Sequence, residues 1–196
     1  MLSRLQVLTS QPKLALGALL TLLLAAAAVV GSGADFTATS ANPSNTFASG
    51  TLTIGNSKAG TAVLTAGNLR PDGPTETGVV DIENTGSLSG AFTLSRTAPV
   101  DSDNTNPLSG KLNLEVVDCG AFVGSTAPTC GDGDDVTKYD NGTIAQMGTA
   151  GHTVAGLGNF DAAEKHRYEF TVQLDGSADN AYQGDSSSVQ FDFNAA

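Results

Sequence analysis

Two histidines and two cysteines are the residues of this chain best suited to chemistry, and their setting favours no familiar reaction. His152 lies in the glycine-rich Thr149-Ala-Gly-His, and His166 in Glu164-Lys-His-Arg. No HExxH segment sets two imidazoles one helical turn apart over a zinc ion. His166 leads into a strand pattern and is expected at the exposed strand entrance. No GxSxG elbow is present to raise an activated serine. Cys119 and Cys130 are too far apart for a CxxC redox pair and have no nearby histidine. In an exported chain an even pair of this kind reads as a disulfide. Closing so short a loop stabilises by about 2–3 kcal/mol on the loop-entropy account. The one local acidic cluster, Asp132-Gly-Asp134-Asp135, follows Cys130. Calcium takes several oxygen ligands, and this loop offers two or three of them. The full DxDxDG…E spacing is missing, and a solvated loop explains the same residues. Asn141-Gly-Thr143 fits the glycosylation sequon, a motif short enough to recur by chance. These residues assign no catalytic group, no cofactor and no metal.

The elements that must position these side chains follow a period of two. Strand patterns run over Phe47–Ile54, Thr61–Leu64, Thr77–Glu83, Phe92–Ser95, Lys111–Val117, weakly over Thr153–Leu157, then over Arg167–Leu174 and Ser188–Phe193. About eight short strands separated by Gly, Pro, Asn, Asp and Ser predict an all-β fold, a jelly-roll or Ig-like antiparallel β-sandwich. The expected core is Leu52, Ile54, Val80, Ile82, Phe92, Leu94, Leu112, Leu114, Val116, Tyr168, Phe170, Val172, Val189, Phe191 and Phe193. The last three alternate with Gln190 and Asp192 in a closing strand. Before it, Tyr182 is expected to anchor a turn and Gly184 to permit the bend. Thr97–Ser109 and Gly120–Asp135 are polar, breaker-rich segments expected as surface loops.

Ahead of the strands lies a segment of another kind. Arg4 and Lys13 precede Leu14–Val30, a run of apolar and small residues without charge. Ser32 and Ala34 then supply the small side chains that a signal peptidase reads. Cleavage is expected between Ala34 and Asp35, so that 1–34 is a signal peptide helix, 35–46 an extended segment and 47–196 the sandwich domain. The alternative is an uncleaved membrane anchor, since the apolar run is long enough to span. Either way the folded part lies outside the cytoplasm, secreted or at the cell surface. The chain carries 20 Asp and Glu against 9 Lys and Arg, a formal charge of −11, and loses two cations with the leader. Such a surface repels nucleic acid and anionic lipid. The membrane is therefore a partner only through the signal peptide.

Three segments together resemble a known family. They are Asn45-Thr-Phe-Ala-Ser-Gly-Thr-Leu-Thr-Ile54, Asn68-Leu-Arg-Pro-Asp-Gly followed by Glu83-Asn-Thr-Gly-Ser-Leu88, and Asn180-Ala-Tyr-Gln-Gly184 leading into Val189–Phe193. In this order, behind this leader, they look like the TasA/camelysin family of exported bacterial biofilm-matrix proteins with SipW-type signal peptides. The resemblance frames the chain after the leader and carries little between Thr97 and Gly158. It implies processing by a dedicated signal peptidase and a jelly-roll subunit of extracellular fibres. It also implies head-to-tail self-association by donor-strand exchange. The donor would be the start of the freed segment, Asp35, Phe36, Thr37, Ala38 and Thr39, continuing to Ser44. Phe36 and Ala38 share one face of it. A frayed terminus is the plainer reading of the same residues. Through camelysin the resemblance also implies a cell-surface metalloprotease, for which these residues offer no zinc motif. A surface adhesin binding through its two long loops is the remaining alternative.

Overall fold

The computed structural model describes residues 49–196, together with residues 13 and 16–21. Residues 16–21 are helical, and the Thr21 hydroxyl donates to the carbonyls of Gly17 and Ala18. Among the described residues no helix is long and apolar enough to cross a membrane. The expected cleavage point at Ala34 and Asp35 and the segment 35–46 lie outside the described residues.

Residues 49–196 form an antiparallel β-sandwich. Its strands are β1 (Ile54–Asn56), β2 (Glu76–Asn84), β3 (Gly90–Arg96), β4 (Val100–Asp101) and β5 (Leu112–Phe122). They continue with β6 (Val136–Thr143), β7 (Gly158–Phe160), β8 (Lys165–Leu174), β9 (Ser187–Ser188) and β10 (Phe191–Ala195). One sheet has the order β1-β2-β8-β5-β6, a second the order β10-β3-β7, and β4 pairs with β9 in a third, two-stranded one.

Alternation decides which way each long strand faces. Val80 and Ile82 on β2, Tyr168, Phe170 and Val172 on β8, and Leu112, Leu114 and Val116 on β5 are all buried. Phe92 and Leu94 on β3 and Phe160 on β7 join them in one core. The outer face of the large sheet carries cross-strand ion pairs instead. Arg167 holds Asp81 through Nε and a terminal nitrogen at 2.7 and 2.9 Å, and Lys165 lies 3.2 Å from Glu83. Solvent still reaches these partly buried pairs, and surface pairs contribute about 0.2–1 kcal/mol each, so the core carries most of the stability.

Several strand expectations need correction. The strand predicted over Phe47–Ile54 begins only at Ile54 within the described residues. Before it, the Thr51 and Thr53 carbonyls accept from Thr85, Ser87 and Leu88, so the chain lies along a turn rather than along a strand. A Cβ at Gly86 would come within 2.2 Å of the Thr51 carbonyl oxygen, and this close approach excludes any side chain there. Thr61–Leu64 is irregular; it crosses Gly78 so closely that a Cβ there would meet the Val63 carbonyl at 2.2 Å. Thr153–Leu157 is not a strand, and the pairing comes just afterwards as β7. β6 was not expected at all: its sequence, VTKYDNGT, shows no apolar alternation because it is an edge strand with few buried residues. The two expected loops are partly regular. Thr97–Ser109 contains β4 and the start of a 3-10 turn, Leu108–Gly110, while β5 runs on through Phe122 into the second.

Asn84 fastens the turn that follows β2. It is fully buried; its amide nitrogen donates to the carbonyls of Leu88 and Phe160 at 2.7 and 3.1 Å, and its oxygen accepts from the Gly86 amide. Three backbone groups lose their partner if this side chain is truncated. Asn84→Ala is expected to lower unfolding free energy by about 3 kcal/mol, the upper range for buried groups left unpaired. Thr85→Ala, whose exposed hydroxyl meets only Thr53, should stay within about 0.5 kcal/mol in the same urea titration. Equal effects would show that the Asn84 network is not what holds the turn.

Candidate functional site

The two main layers of the sandwich are unequal, five strands facing three. At about 4.8 Å between neighbouring strands, the smaller sheet is about 10 Å too narrow to cover the larger. The irregular segment 57–71 and the chain around Asn180–Ser188 make up part of the difference. Between them a groove of about 1320 Å³ remains. Leu112, Ile144, Val172 and Leu174 line its interior, Ile54, Val63, Leu64 and Leu69 come from one side, and Tyr182, Val189, Phe191 and Phe193 from the other. Its polar lining includes Lys58, Arg70, Asp179, Asp185 and Asp192.

β10 forms one margin of this groove and is an edge strand. Its register against β3 runs from Phe191 opposite Arg96 to Ala195 opposite Phe92. Thr97 donates to the Gln190 carbonyl, and Ala91 and Ala196 exchange both of their bonds. Antiparallel bonding alternates, so positions 190, 192, 194 and 196 face β3. The N–H and C=O groups of Phe191, Phe193 and Ala195 therefore point away from it. No strand pairs with that side among the described residues. The same three residues turn their side chains toward the core, where Phe191 lies 4.8 Å and Phe193 6.4 Å from the Phe170 ring centroid. Val189, Phe191 and Phe193 were expected to complete a closed core. They are only half-buried: among the described residues β10, and the chain leading into it at Val189, has a neighbouring strand on one side alone.

The turn before this strand is built from local bonds. Asp179 caps the short 3-10 turn Asn180–Tyr182 by accepting from the Ala181 amide. Tyr182 is half-buried against the core, with Lys111 Nζ 5.8 Å from its ring centre. Gly184 takes a positive φ of 84°, which lets the chain bend into β9. Across the groove margin, Ser109 donates from its amide and hydroxyl to Asp101 at 2.8 and 2.7 Å. Partial burial works against ionisation of Asp101, and the bonds from Ser109 outweigh it, holding the carboxyl below its ordinary range.

The remaining sequence candidates lie elsewhere. Cys119 and Cys130 form a disulfide, with Cα atoms 4.8 Å apart. It sits where β5 bulges: Gly120 has a φ of 109°, and both Asp118 and Cys119 are buried. In the following loop Asp135 accepts from the Gly131 amide and Asp132 from the Asp134 amide. Among the described residues no three His, Cys, Asp or Glu side chains gather as a metal would require. His152 Nδ1 lies 2.7 Å from the Asn141 carbonyl. His166 is not at an exposed entrance; its side chain is 16 % accessible and turns inward on β8. It is in phase with Tyr168 and Phe170, a signal that the adjacent charged Lys165 and Arg167 obscured.

No family model matches the chain, and no curated protein matches it.

The groove makes a direct prediction about its lining. Phe170 is fully buried, and Phe170→Ala should cost about 3–5 kcal/mol. Phe193→Ala removes a ring that water already reaches, and should cost about 1–2 kcal/mol. Urea unfolding of both variants checks this; equal losses would mean that the groove is closed in solution.

Proposed function

We propose that this chain is a secreted structural subunit that polymerises head to tail, each copy lending a strand to the next. The single observation that carries this reading is the backbone edge of β10, without a strand partner among the described residues, along a groove with an apolar floor. An extended peptide laid there gains main-chain bonds from Phe191, Phe193 and Ala195 and covers half-exposed side chains with its own alternate ones. The segment Asp35–Ser44 (DFTATSANPS) suits this role. It has no helix-forming stripe, it carries Phe36 and Ala38 in phase, and only one of its residues is charged. Removal of a leader after Ala34 would free it, and a dedicated signal peptidase would then act as the trigger. Resemblance to the TasA/camelysin proteins agrees with this reading and extends it to a fibre in an extracellular matrix. Loss of the leader with Arg4 and Lys13 leaves 7 Lys and Arg against 20 Asp and Glu and takes the net charge from −11 to −13, which keeps separate copies apart until a specific pairing overcomes the repulsion.

Chains expressed from Asp35 and from Phe47 separate this proposal from others. The longer chain should form fibres visible by electron microscopy, and the shorter should stay monomeric at the same concentration. Phe193→Asp in the longer chain should also abolish fibres, because it sets a charge on the groove lining without touching the donor. Fibres from both lengths, or from neither, would remove the donor strand.

A further inference from the structure

A second buried arrangement lies apart from the groove, and none of its residues lines it. The His166 ring stacks on Phe160 with centroids 4.3 Å apart, and Phe160 stacks in turn on Phe92 at 4.2 Å. His166 Nδ1 lies 2.9 and 3.0 Å from the two carboxylate oxygens of Asp118 on β5. Its Nε2 lies 3.2 Å from Glu164 Oε1. A carboxylate accepts only, so each ring nitrogen needs its own proton to bond, and only the imidazolium has both.

The ring thereby joins two elements. Glu164 belongs to the turn between β7 and β8, where its other oxygen accepts from the Asp161 amide at 2.6 Å. The Ala163 amide donates to the Asn84 carbonyl, and Asn84 donates back to Glu164. β7 itself covers the edge of β3 along Gly90–Phe92. The imidazolium thus ties the segment that covers this edge to the bulge beside the disulfide.

We propose that His166 is a proton-operated clasp: its imidazolium holds the β7–β8 turn to β5, and loss of the proton releases that turn. The groups facing the ring decide how it lets go. Lys138 on β6 lies 3.5 Å from Asp118 and keeps its charge beside that carboxylate. β2 contributes Ile82 and Asn84, which do not titrate, and β3 and β7 contribute phenyl rings. Burial raises the Tyr168 phenol far above its ordinary range, so it stays protonated throughout. Neutral His166 has one N–H for two carboxylates; Asp118 is the closer and more buried of them, while Glu164 is exposed enough to turn to water. The Glu164 contact is therefore the one that opens.

The sign follows from the surroundings. Burial alone would lower the pKa of His166; hydrogen bonds and charges from Asp118 and Glu164 outweigh it and raise the value. Burial likewise opposes ionisation of Asp118, and His166, the Gly120 amide and Lys138 together hold its carboxyl low. The clasp thus contributes fully below the ordinary imidazole value of about 6.5 and is lost as pH rises through the raised one.

Hydrogen exchange of the Asp161 and Ala163 amides in the full chain, corrected for intrinsic rate, tests this between mildly acid and mildly alkaline pH. In the unmodified protein protection should fall by up to about tenfold per pH unit between the ordinary imidazole value of about 6.5 and the raised one, and level off above it. His166→Gln should show low protection without that decline, Glu164→Gln should move the decline to lower pH, and His152→Gln should retain it. A decline in His166→Gln equal to that of the unmodified protein, or no decline in the latter, would overturn the clasp. Should His166→Gln fail to fold, an NMR titration of the unmodified ring decides: a pKa above the ordinary value is expected, and one at or below it defeats the proposal.

Discussion

A sheet with an apolar face must cover that face or leave it to water, and here the cover is two strands narrower than the sheet beneath. Five strands lie on one side of the core and three on the other. This mismatch accounts for the groove, for the half-burial of Val189, Phe191 and Phe193, and for the irregular course of 57–71. Beyond Ser57, which bonds to Asp81, that segment lies over β2 near Gly78 without joining either sheet, so it hides apolar surface without supplying a ladder of strand hydrogen bonds. Backbone groups on the outer side of β10 are therefore left without a strand partner among the described residues. An edge of this kind is an invitation to pairing that folded proteins normally block with charge, proline or a covering loop.

Elsewhere the interior accepts polar groups only where their partners are fixed. Asn84 is fully buried and satisfies three backbone groups of one turn. Asp118 is 4 % exposed and touches His166, Lys138 and the Gly120 amide. Both sit where strands end or bulge, places where the ladder stops supplying bonds and a side chain must take over. The Cys119–Cys130 bridge lies beside the second of them. Stability at this end is thus tied to specific donors and acceptors, while at the groove it depends on area. On the two proposals made above, the regions would respond to different conditions: protonation at one, and the supply of an apolar strand at the other.

Strands with one buried face were legible in the sequence because alternation survives there. Val80 and Ile82, Leu112 to Val116, and Tyr168 to Leu174 fall where the period of two places them. β6 was not legible, since Tyr139 is its one deeply buried side chain and alternation needs at least two. Thr61–Leu64 failed for the opposite reason: its apolar residues do bury surface, but at the margin of a groove, where no ladder imposes a strand. The disulfide was legible from an even cysteine pair behind an expected export leader, without CxxC spacing or a nearby histidine. The Asp118–His166–Glu164 contact was not, because it joins residues 48 positions apart through a bulge whose register no local pattern encodes. The edge position of β10 among the described residues was hidden as well: the amphipathic closing strand was visible, but whether it had one neighbour or two depended on the topology of both sheets.

Charge limits what can fill the groove. At a net charge of −11, two copies of this chain repel, and at about 0.1 M salt that repulsion is screened only beyond about 10 Å. Loose apolar contact between grooves would have to bring two acidic surfaces within that distance for little gain. A single extended strand avoids most of this cost, because it reaches from one body into another while the bodies stay apart. It also supplies main-chain hydrogen bonds, which a flat apolar contact cannot. The occupant that best fits an acidic protein with an open strand edge is therefore a nearly uncharged peptide on a tether, and Asp35–Ser44 has that composition. On the proposed reading, the same repulsion that holds separate copies apart would favour a tethered strand as their means of joining.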